Sequence, residues 1–191
     1  MPNSKYSDTT KRQLAESLKK SMAQKPLEKI TIRELVEDCG LNRQTFYYHF
    51  EDIYDLLKWM FQQEAVSLLE KHEGTMVWQD GLLQLFRYLE DNRAICLCAL
   101  HSLGHAHLKR FFYTDINSIV ARAVETLSEE HAIPQKNVTF ISHVLTLSLA
   151  ALMESWLLGE MDCTPEVLLS EIDVLLQNQM KGAQINLGSA R

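Results

Sequence analysis

The sequence predicts an all-α protein, and three observations support this fold class. Glycine and proline are scarce, at 7 and 4 among 191 residues, which disfavours a turn-rich β fold. Apolar residues recur every three or four positions along most of the chain, as they do on one face of a helix. No stretch shows the strict alternation of apolar and polar residues that is typical of a half-buried strand.

The first expected helix begins after Ser7 or Asp8, because either side chain can cap free backbone N–H groups. It ends near Gln24, since the residue before Pro26 avoids helical backbone. The opening MPNSKYSDTTKR is polar throughout and does not resemble a signal peptide. We therefore expect a cytoplasmic protein, and four cysteines without a disulfide spacing fit a reducing compartment.

Two further short helices are expected before residue 50. Thr31 and Glu34 have the spacing of a capping box, which starts the second helix. Gly40 can adopt the left-handed backbone that ends it, and Asn42 can cap the third helix. Helix, three-residue turn with glycine, and helix together predict a helix-turn-helix.

The rest of the chain reads as helical, with helices expected at 52–72, 79–90, 93–103, 106–129, 136–160 and 165–180. The longest apolar run, 144–153, is too short to span a bilayer and predicts a buried helix, with no membrane partner. The expected domains are a helix-turn-helix head over 1–52 that continues into the fourth helix to about 68, a helical body over 53–181, and a flexible tail over 182–191.

The charge is distributed unevenly. The whole chain has a formal net charge of −6, which by itself argues against nucleic acid. Residues 1–50 nevertheless carry nine Lys/Arg and six Asp/Glu, a net charge of +3, which leaves −9 on the remainder. This asymmetry is compatible with DNA binding, because DNA meets only one face of a protein.

The third helix has two distinct sides. At 100° per residue, Phe46 and Phe50 point the same way and are expected to pack against the first two helices. The opposite side presents Gln44 and Tyr48, flanked by Thr45 and Tyr47, with Arg43 at the margin. Arginine can bind guanine and glutamine can bind adenine in the major groove, while tyrosine hydroxyls commonly bind phosphate. A merely solvated amphipathic helix is the alternative interpretation.

The segment KITIRELVEDCGLNRQTFYYHFEDIYDLL resembles the DNA-binding signature of the TetR family of bacterial transcription regulators, and the resemblance covers roughly residues 8 to 68. The Ile-Thr opening, the Cys-Gly-Leu turn and the Thr-Phe-Tyr-Tyr-His-Phe ending carry the match. It implies a homodimer with two recognition helices, bound to a double-stranded operator, and a C-terminal domain for dimerisation and effector binding.

The resemblance also implies roles for individual residues. Tyr47 and Thr31 would contact phosphate, and His49 would mainly pack and orient its neighbours. The full DNA-binding set expected is Thr31, Arg33, Asn42, Arg43, Gln44, Thr45, Tyr47, Tyr48 and His49. The sequence departs from the family pattern at Ile53. This residue occupies the position where the family commonly has a phosphate-binding lysine, and acidic residues surround it. Phosphate affinity is then expected from Lys5, Lys11, Arg43 and the tyrosines.

The Asp-Ile-Tyr-Asp-Leu segment after the third helix and the Trp-Leu-x-Gly segment at Trp156 narrow the resemblance. They are similar to the subgroup of the family that includes regulators of dihydroxyacetone kinase operons. Some members of that subgroup act as activators through a protein co-activator. The sign of regulation, the operator and the effector stay open.

The last two helices are apolar on nearly all sides. Two such helices favour a four-helix interface in a twofold dimer, and the alternative is that they fill the core of one protomer. The residues expected at the dimer interface are Leu145, Leu149, Leu152, Trp156, Leu168, Ile172 and Leu175. Aromatic residues that could line an effector pocket are Trp78, Phe86, Phe111, Phe112 and Phe140.

The sequence offers three alternatives to a DNA-binding function. Cys96, Cys98 and the histidines that follow suggest a metal site, but the two cysteines differ by about 200° on a helix and cannot share one face. No metal and no cofactor are therefore expected. No nucleophile elbow, phosphate loop or HExxH motif is present, so an enzyme is not expected. A protein-interaction module, or a co-activator-dependent activator with weak DNA binding of its own, is the remaining alternative.

Overall fold

The computed structural model describes residues 2–67, 78–102, 113, 117, 120–126, 128 and 135–188. Every regular element within these residues is a helix, which confirms the all-α prediction. In chain order the helices are α1 Pro2–Met22, a 3₁₀ turn Leu27–Lys29, α2 Ile32–Asp38, α3 Arg43–His49, α4 Ile53–Phe61, a π turn Gln62–Val66, α5 Trp78–Asp91, α6 Arg93–Ser102, α7 Gln135–Leu158 and α8 Pro165–Gly188. A further helical segment spans 120–126.

Contacts divide the chain into two compact units. The head unit comprises Met1–Ala65 and Asn92–Leu108, and the body unit comprises Val66–Asp91 and Lys109–Arg191. The predicted head covered 1–52 and continued into the fourth helix to about 68, and the predicted body covered 53–181, so residues 92–102 were expected in the body. Helix α6 contacts α1 and the 3₁₀ turn and so groups with the head, a long-range relationship that helical periodicity does not contain.

The core of the head unit joins α1, α2, α3, α4 and α6. Its fully buried large side chains are Leu14, Leu18, Leu27, Leu35, Phe46, Leu56, Leu57, Met60 and Phe61. Helix α1 is held to its neighbours by polar contacts as well. The buried Ser17 hydroxyl donates to the carbonyl of Leu35 at 3.4 Å, and Lys19 pairs with Glu64 of the π turn at 2.7 Å.

Helix α1 begins at Pro2, earlier than the predicted start after Ser7 or Asp8. Proline suits the first helical position, because its backbone torsion is already helical and its missing N–H would have no partner there. The polar residues that follow do not break the helix, and capping residues such as serine and aspartate are tolerated inside its first turns.

The turn between α2 and α3 has the predicted glycine geometry. Gly40 has φ of +66°, the left-handed region. The Leu41 N–H donates to the carbonyl of Val36 at 2.7 Å and the Gly40 N–H donates to that of Glu37 at 3.2 Å. These are the two hydrogen bonds of a Schellman motif, which satisfies the last carbonyls of α2 and redirects the chain into α3.

In the body unit, α5 packs against α7 and α8. Phe86 of α5 meets Trp156 of α7 edge to face, with ring centres 5.4 Å apart. Helix α8 starts at the predicted Pro165 but continues to Gly188, through most of the predicted tail. One glycine, Gly182, interrupts a run of helix-forming residues, and a single glycine costs a helix only about 1 kcal/mol.

The other predicted helices agree with the observed helix bounds to different degrees. The predictions at 79–90, 93–103 and 136–160 match α5, α6 and α7 within two residues at each described end. Most of the predicted helix at 106–129 lies outside the described residues, as do residues 68–72 of the fourth. Within α7, the stretch Asn137–Leu158 is long and apolar enough to cross a membrane, a test that core helices of soluble proteins also pass.

Candidate nucleic-acid interface

Two buried phenylalanines anchor α3 in the head unit. Phe46 is fully buried and Phe50 nearly so, and their ring centres lie 5.9 Å apart. Phe50 also meets the ring of Trp59 on α4 edge to face at 5.9 Å. One side of α3 is therefore held against the core, and its other side faces solvent.

The solvent side of α3 forms a surface that we call the reading face, made of Arg43, Gln44, Tyr47 and Tyr48, all exposed. Tyr48 is 79% exposed and Tyr47 53% exposed, which is unusual for large aromatic side chains that only meet water. The four residues lie within about 140° of each other around the helix axis, since each step is about 100°. Guanidinium, amide and phenol groups on one short helix can bind base edges and phosphates together.

Asn42 and Thr45, both predicted to bind DNA, bind each other. The Asn42 Oδ1 atom accepts hydrogen bonds from the Thr45 N–H at 2.8 Å and from the Thr45 hydroxyl at 3.0 Å. This is the predicted N-cap of α3. The bonds fix the start of the recognition helix and leave the Asn42 amide group as the donor that DNA could use.

Thr31 is committed to the cap of α2. Its hydroxyl accepts from the Glu34 N–H at 3.3 Å and donates to the Glu34 carboxylate at 3.0 Å, which confirms the predicted capping box. Lys25 also donates to this carboxylate at 2.8 Å. The hydrogen bonds from Lys25 and then from Thr31 lower the pKa of Glu34 to about 2. Phosphate oxygens only accept, so a phosphate contact from the Thr31 hydroxyl would require it to release Glu34.

Arg33, the other predicted contact on α2, is paired within its own helix. Its Nε atom donates to Glu37 one turn later at 2.7 Å, and both side chains are exposed. An exposed ion pair of this kind contributes little to stability, so DNA could recruit Arg33 at little cost. Arg33 is thus an exposed positive charge on α2 whose partner lies in the same helix.

His49 is half-buried behind the reading face. Its ring meets that of Tyr48 edge to face, with centres 5.0 Å apart. Burial, and then the nearby ammonium group of Lys11, lower the pKa of His49. The ring is therefore neutral at pH 7, and its packing against Tyr48 supports the most exposed residue of the reading face.

The acidic residues after α3 serve as caps. The Asp52 Oδ1 atom accepts from the Asp55 N–H at 2.8 Å, and Asp55 Oδ2 accepts from the Glu51 N–H at 3.1 Å. These carboxylates satisfy free N–H groups at the start of α4. The spacing Asp-x-x-Asp ahead of an apolar run was the signal of a helix start.

Lys11, expected to supply phosphate affinity, is placed over an aromatic pair. Its Nζ atom lies 5.9 Å from the centre of the Phe50 ring and 5.8 Å from that of Trp59. Cation–π attraction of this kind contributes about 0.5–1 kcal/mol at exposed sites. Lys11 therefore helps to hold the end of α3. Lys5 has no described side chain.

The residues predicted for a dimer interface fall into three groups in the body unit. Leu149, Trp156 and Leu168 are buried within the single chain, where the Trp156 Nε1 atom donates to the Cys163 carbonyl at 2.9 Å. Half-buried are Leu145, Leu152 and Ile172. Leu175 is 55% exposed.

The residues predicted for an effector pocket are not brought together by the described part of the structure. Phe86 is fully buried against Trp156 and belongs to the core of the body unit. Phe140 is 70% exposed on α7. The side chain of Trp78, and all of Phe111 and Phe112, lie outside the described residues.

The two cysteines of the metal alternative have separate surroundings. Cys96 is buried, and burial raises the pKa of its thiol to about 12. The Cys98 thiol donates instead to the carbonyl of Lys25 at 3.6 Å. No group of three His, Cys, Asp or Glu side chains with metal-binding geometry occurs among the residues that the structure describes.

A helix-turn-helix whose second helix exposes donor-rich and aromatic side chains defines a DNA-binding regulator, and comparison with known proteins gives its family. The description "bacterial regulatory proteins, tetR family" matches residues 16–60, and "transcriptional regulator C-terminal region" matches residues 77–178, more than half of the chain. The chain belongs to the TetR family of bacterial transcriptional regulators, as the sequence resemblance indicated.

A curated relative is the HTH-type dhaKLM operon transcriptional activator DhaS of Lactococcus lactis subsp. lactis (strain IL1403). It is 31% identical over 91 residues, which cover 48% of this chain and 49% of the relative. The match thus spans about half the length of that protein.

Two solved structures share the fold. The dihydroxyacetone kinase operon activator DhaS has a TM-score of 0.74 at 23% identity, over 90% of this chain and 96% of the other. A TetR-family transcriptional regulator from Rhodococcus sp. has a TM-score of 0.58 at 16% identity, over 91% and 98%.

Proposed function

We propose that this regulator binds a palindromic operator as a homodimer, with α3 of each protomer in the major groove and the reading face against the bases. The observation that carries the proposal is the contrast between Tyr48, 79% exposed, and Phe46, fully buried on the opposite side of the same short helix. A helix with one rigidly anchored side and one side of exposed donors and aromatic rings suits groove binding. A regulator of this kind acts on DNA in the cytoplasm and needs no catalytic site.

Exposed apolar side chains on α7 and α8 support the homodimer. Phe140, Leu147 and Leu158 are 70%, 50% and 39% exposed, and their spacings of seven and eleven residues put them on one face of α7. Val167 and Val174 are each 51% exposed, and seven residues put them on one face of α8. A second copy would remove these faces from water, at about 25 cal/mol per Å² of apolar surface. Leu175 also belongs to this surface. The residues of the predicted interface that are buried lie beneath it, inside the protomer.

Control of DNA binding would act on the spacing of the two recognition helices. They reach successive major grooves only when they stand about one DNA turn apart, roughly 34–36 Å. A small-molecule effector or a protein co-regulator that favours one spacing by a few kcal/mol would change operator occupancy by orders of magnitude. The relative and the structural neighbour are both named as activators, which supports activation of an operon as the outcome here.

The proposal is tested by fluorescence titration of the purified protein against DNA from its own upstream region, at two salt concentrations. We expect salt-sensitive binding that prefers this DNA to a scrambled duplex. Tyr48→Ala should weaken the preferred complex about tenfold, because a groove contact of this kind contributes about 1–3 kcal/mol. The matched control is Tyr54→Ala, which removes an exposed tyrosine from α4 and should leave the preference for the upstream DNA intact.

Three other outcomes are informative. If Tyr48→Ala and Tyr54→Ala lose the preference for the upstream DNA equally, α3 is not the element that recognises the DNA sequence. Binding of every duplex with the same affinity would place the operator elsewhere or require a co-activator for specificity. Absence of binding at low salt would favour the alternative, a protein-interaction module.

A further inference from the structure

Two residues of the reading face are hydrogen-bonded to each other. The Nη2 atom of Arg43 donates to the hydroxyl oxygen of Tyr47 at 3.5 Å, across one turn of α3. Both side chains are exposed, so no packing forces this contact. The pair is part of the free protein and exists before any DNA is bound.

The direction of this hydrogen bond follows from chemistry. A guanidinium group has five N–H donors and no acceptor, so the Tyr47 oxygen must accept. The hydroxyl proton of Tyr47 is then left to donate, and in the part of the chain that the structure describes it has no hydrogen-bond acceptor. At a DNA surface the abundant acceptors are phosphate oxygens.

We propose that Tyr47 is a positioning residue for Arg43, and that it couples a backbone contact to base recognition. Its oxygen holds the guanidinium in the orientation for two hydrogen bonds to guanine, while its proton binds the neighbouring phosphate. The inference rests on the proposed role of α3 and deepens it, because it assigns specificity to a residue expected only to contact phosphate. The phosphate bond polarises the hydroxyl and strengthens its hold on the arginine.

The expected effect of Tyr47→Phe is selective. Arg43 keeps its charge but loses the hydrogen bond that restricts its long and flexible side chain. Discrimination at the base pair read by Arg43 should fall about two- to tenfold, the range that corresponds to one hydrogen bond. If Tyr47 contacted only phosphate, Tyr47→Phe would weaken binding to all DNA sequences equally and leave discrimination between base pairs unchanged.

The test is a binding panel in which each base pair of the operator is changed in turn. It compares wild type, Arg43→Ala, Tyr47→Phe and the double variant. The position that loses discrimination in Arg43→Ala identifies the base pair that Arg43 reads. We expect Tyr47→Phe to lose discrimination at that position and at no other, and the double variant to lose no more than Arg43→Ala. The matched control is Tyr54→Phe, which removes an exposed hydroxyl from α4, outside the reading face, and should keep discrimination at that position.

A second readout uses the protein without DNA. Side-chain NMR relaxation should show greater motion of the Arg43 guanidinium in Tyr47→Phe than in wild type, with no change in Tyr54→Phe. Uniform weakening by Tyr47→Phe with intact discrimination, or unchanged Arg43 motion, would overturn the positioning role. Failure of wild type itself to prefer any sequence would instead remove the proposed function, and the positioning role would fall with it.

Discussion

Lys11 on α1 places its ammonium group 5.9 Å from the centre of the Phe50 ring, at the point where α3 ends. The same group lies 5.8 Å from the ring centre of Trp59, so one cation holds two aromatic rings. This contact joins the first helix of the head to the anchored side of the recognition helix. A basic residue that the sequence suggested for DNA thus has a structural partner inside the protein.

Replacement of Lys11 by methionine should affect both stability and His49. We expect the free energy of unfolding to fall by about 0.5–1 kcal/mol, because methionine keeps the apolar stem and loses the cation. The pKa of His49 should rise, because Lys11 is the second cause, after burial, that lowers it. Urea denaturation and an NMR titration of the His49 ring measure the two effects.

An Arg12→Met variant controls for the loss of a positive charge on α1, since Arg12 is exposed one residue further on. It should leave the His49 titration unchanged. An unchanged His49 pKa in Lys11→Met would contradict the proximity of the two groups.

The capping box of α2 predicts a pH dependence with a defined sign. Glu34 has a lower pKa in the folded protein, about 2, than its ordinary value of 4.5. Its contribution to stability is therefore complete above pH 4.5 and is lost as the pH falls towards 2. Glu34→Gln should destabilise the protein at pH 6, and the difference from wild type should shrink below pH 4.5.

Lys25→Met isolates the largest cause of this shift. The variant should raise the pKa of Glu34, followed by NMR of its carboxyl carbon, while the bonds from Thr31 keep it below the ordinary value. A difference between wild type and Glu34→Gln that stays constant from pH 6 to pH 3 would refute the coupling.

Gly40 and Gly182 should respond to alanine with opposite signs. An added Cβ atom would meet nothing within 4 Å at either position, so only the backbone matters. At Gly40, with φ of +66°, alanine is expected to cost about 1–2 kcal/mol. In the interior of α8, Gly182→Ala should stabilise the helix by up to about 1 kcal/mol.

Urea denaturation followed by circular dichroism measures both glycine variants. Gly40→Asn adds a graded control, because asparagine tolerates left-handed backbone better than alanine does. Equal stability of Gly40→Ala and wild type would mean that the turn does not hold this geometry in solution.

The proposed dimer surface predicts a concentration-dependent change. Val174→Asp would put an unpaired carboxylate in the apolar contact, and we expect the dimer dissociation constant to rise at least about 30-fold. Ala94→Asp is the control, because residue 94 is exposed on α6 of the head unit and lies outside the proposed dimer surface. Sedimentation equilibrium distinguishes the two variants, and dissociation by Ala94→Asp alone would place the interface on another face.

Much of the head could be predicted from the sequence, because its signals are local. Thr31 and Glu34 bind each other three residues apart, Asn42 caps α3 at the same spacing, and Gly40 turns the chain with its own torsion. Each of these interactions is complete within five residues. Interactions between residues this close in the chain leave a recognisable pattern in the sequence.

The body was harder to predict, because its helices are apolar on nearly all sides. Periodicity then does not say which side meets the protomer's own core. Trp156 and Leu168 are buried inside the chain, whereas Leu147 and Val174 of equally apolar character are half or more exposed. Only the packing of α5 against α7 and α8 makes that choice.

The sequence by itself determined the helical class, the helix-turn-helix, its caps and the identity of the reading face, since these follow from torsional preferences and short-range hydrogen bonds. Tertiary structure decided what those residues do together. It placed Lys11 over two rings and assigned α6 to the head. The positions of Lys11 and α6 depend on residues far apart in the chain. They also depend on which of several compatible side-chain arrangements has the lowest free energy, which spacing alone does not contain.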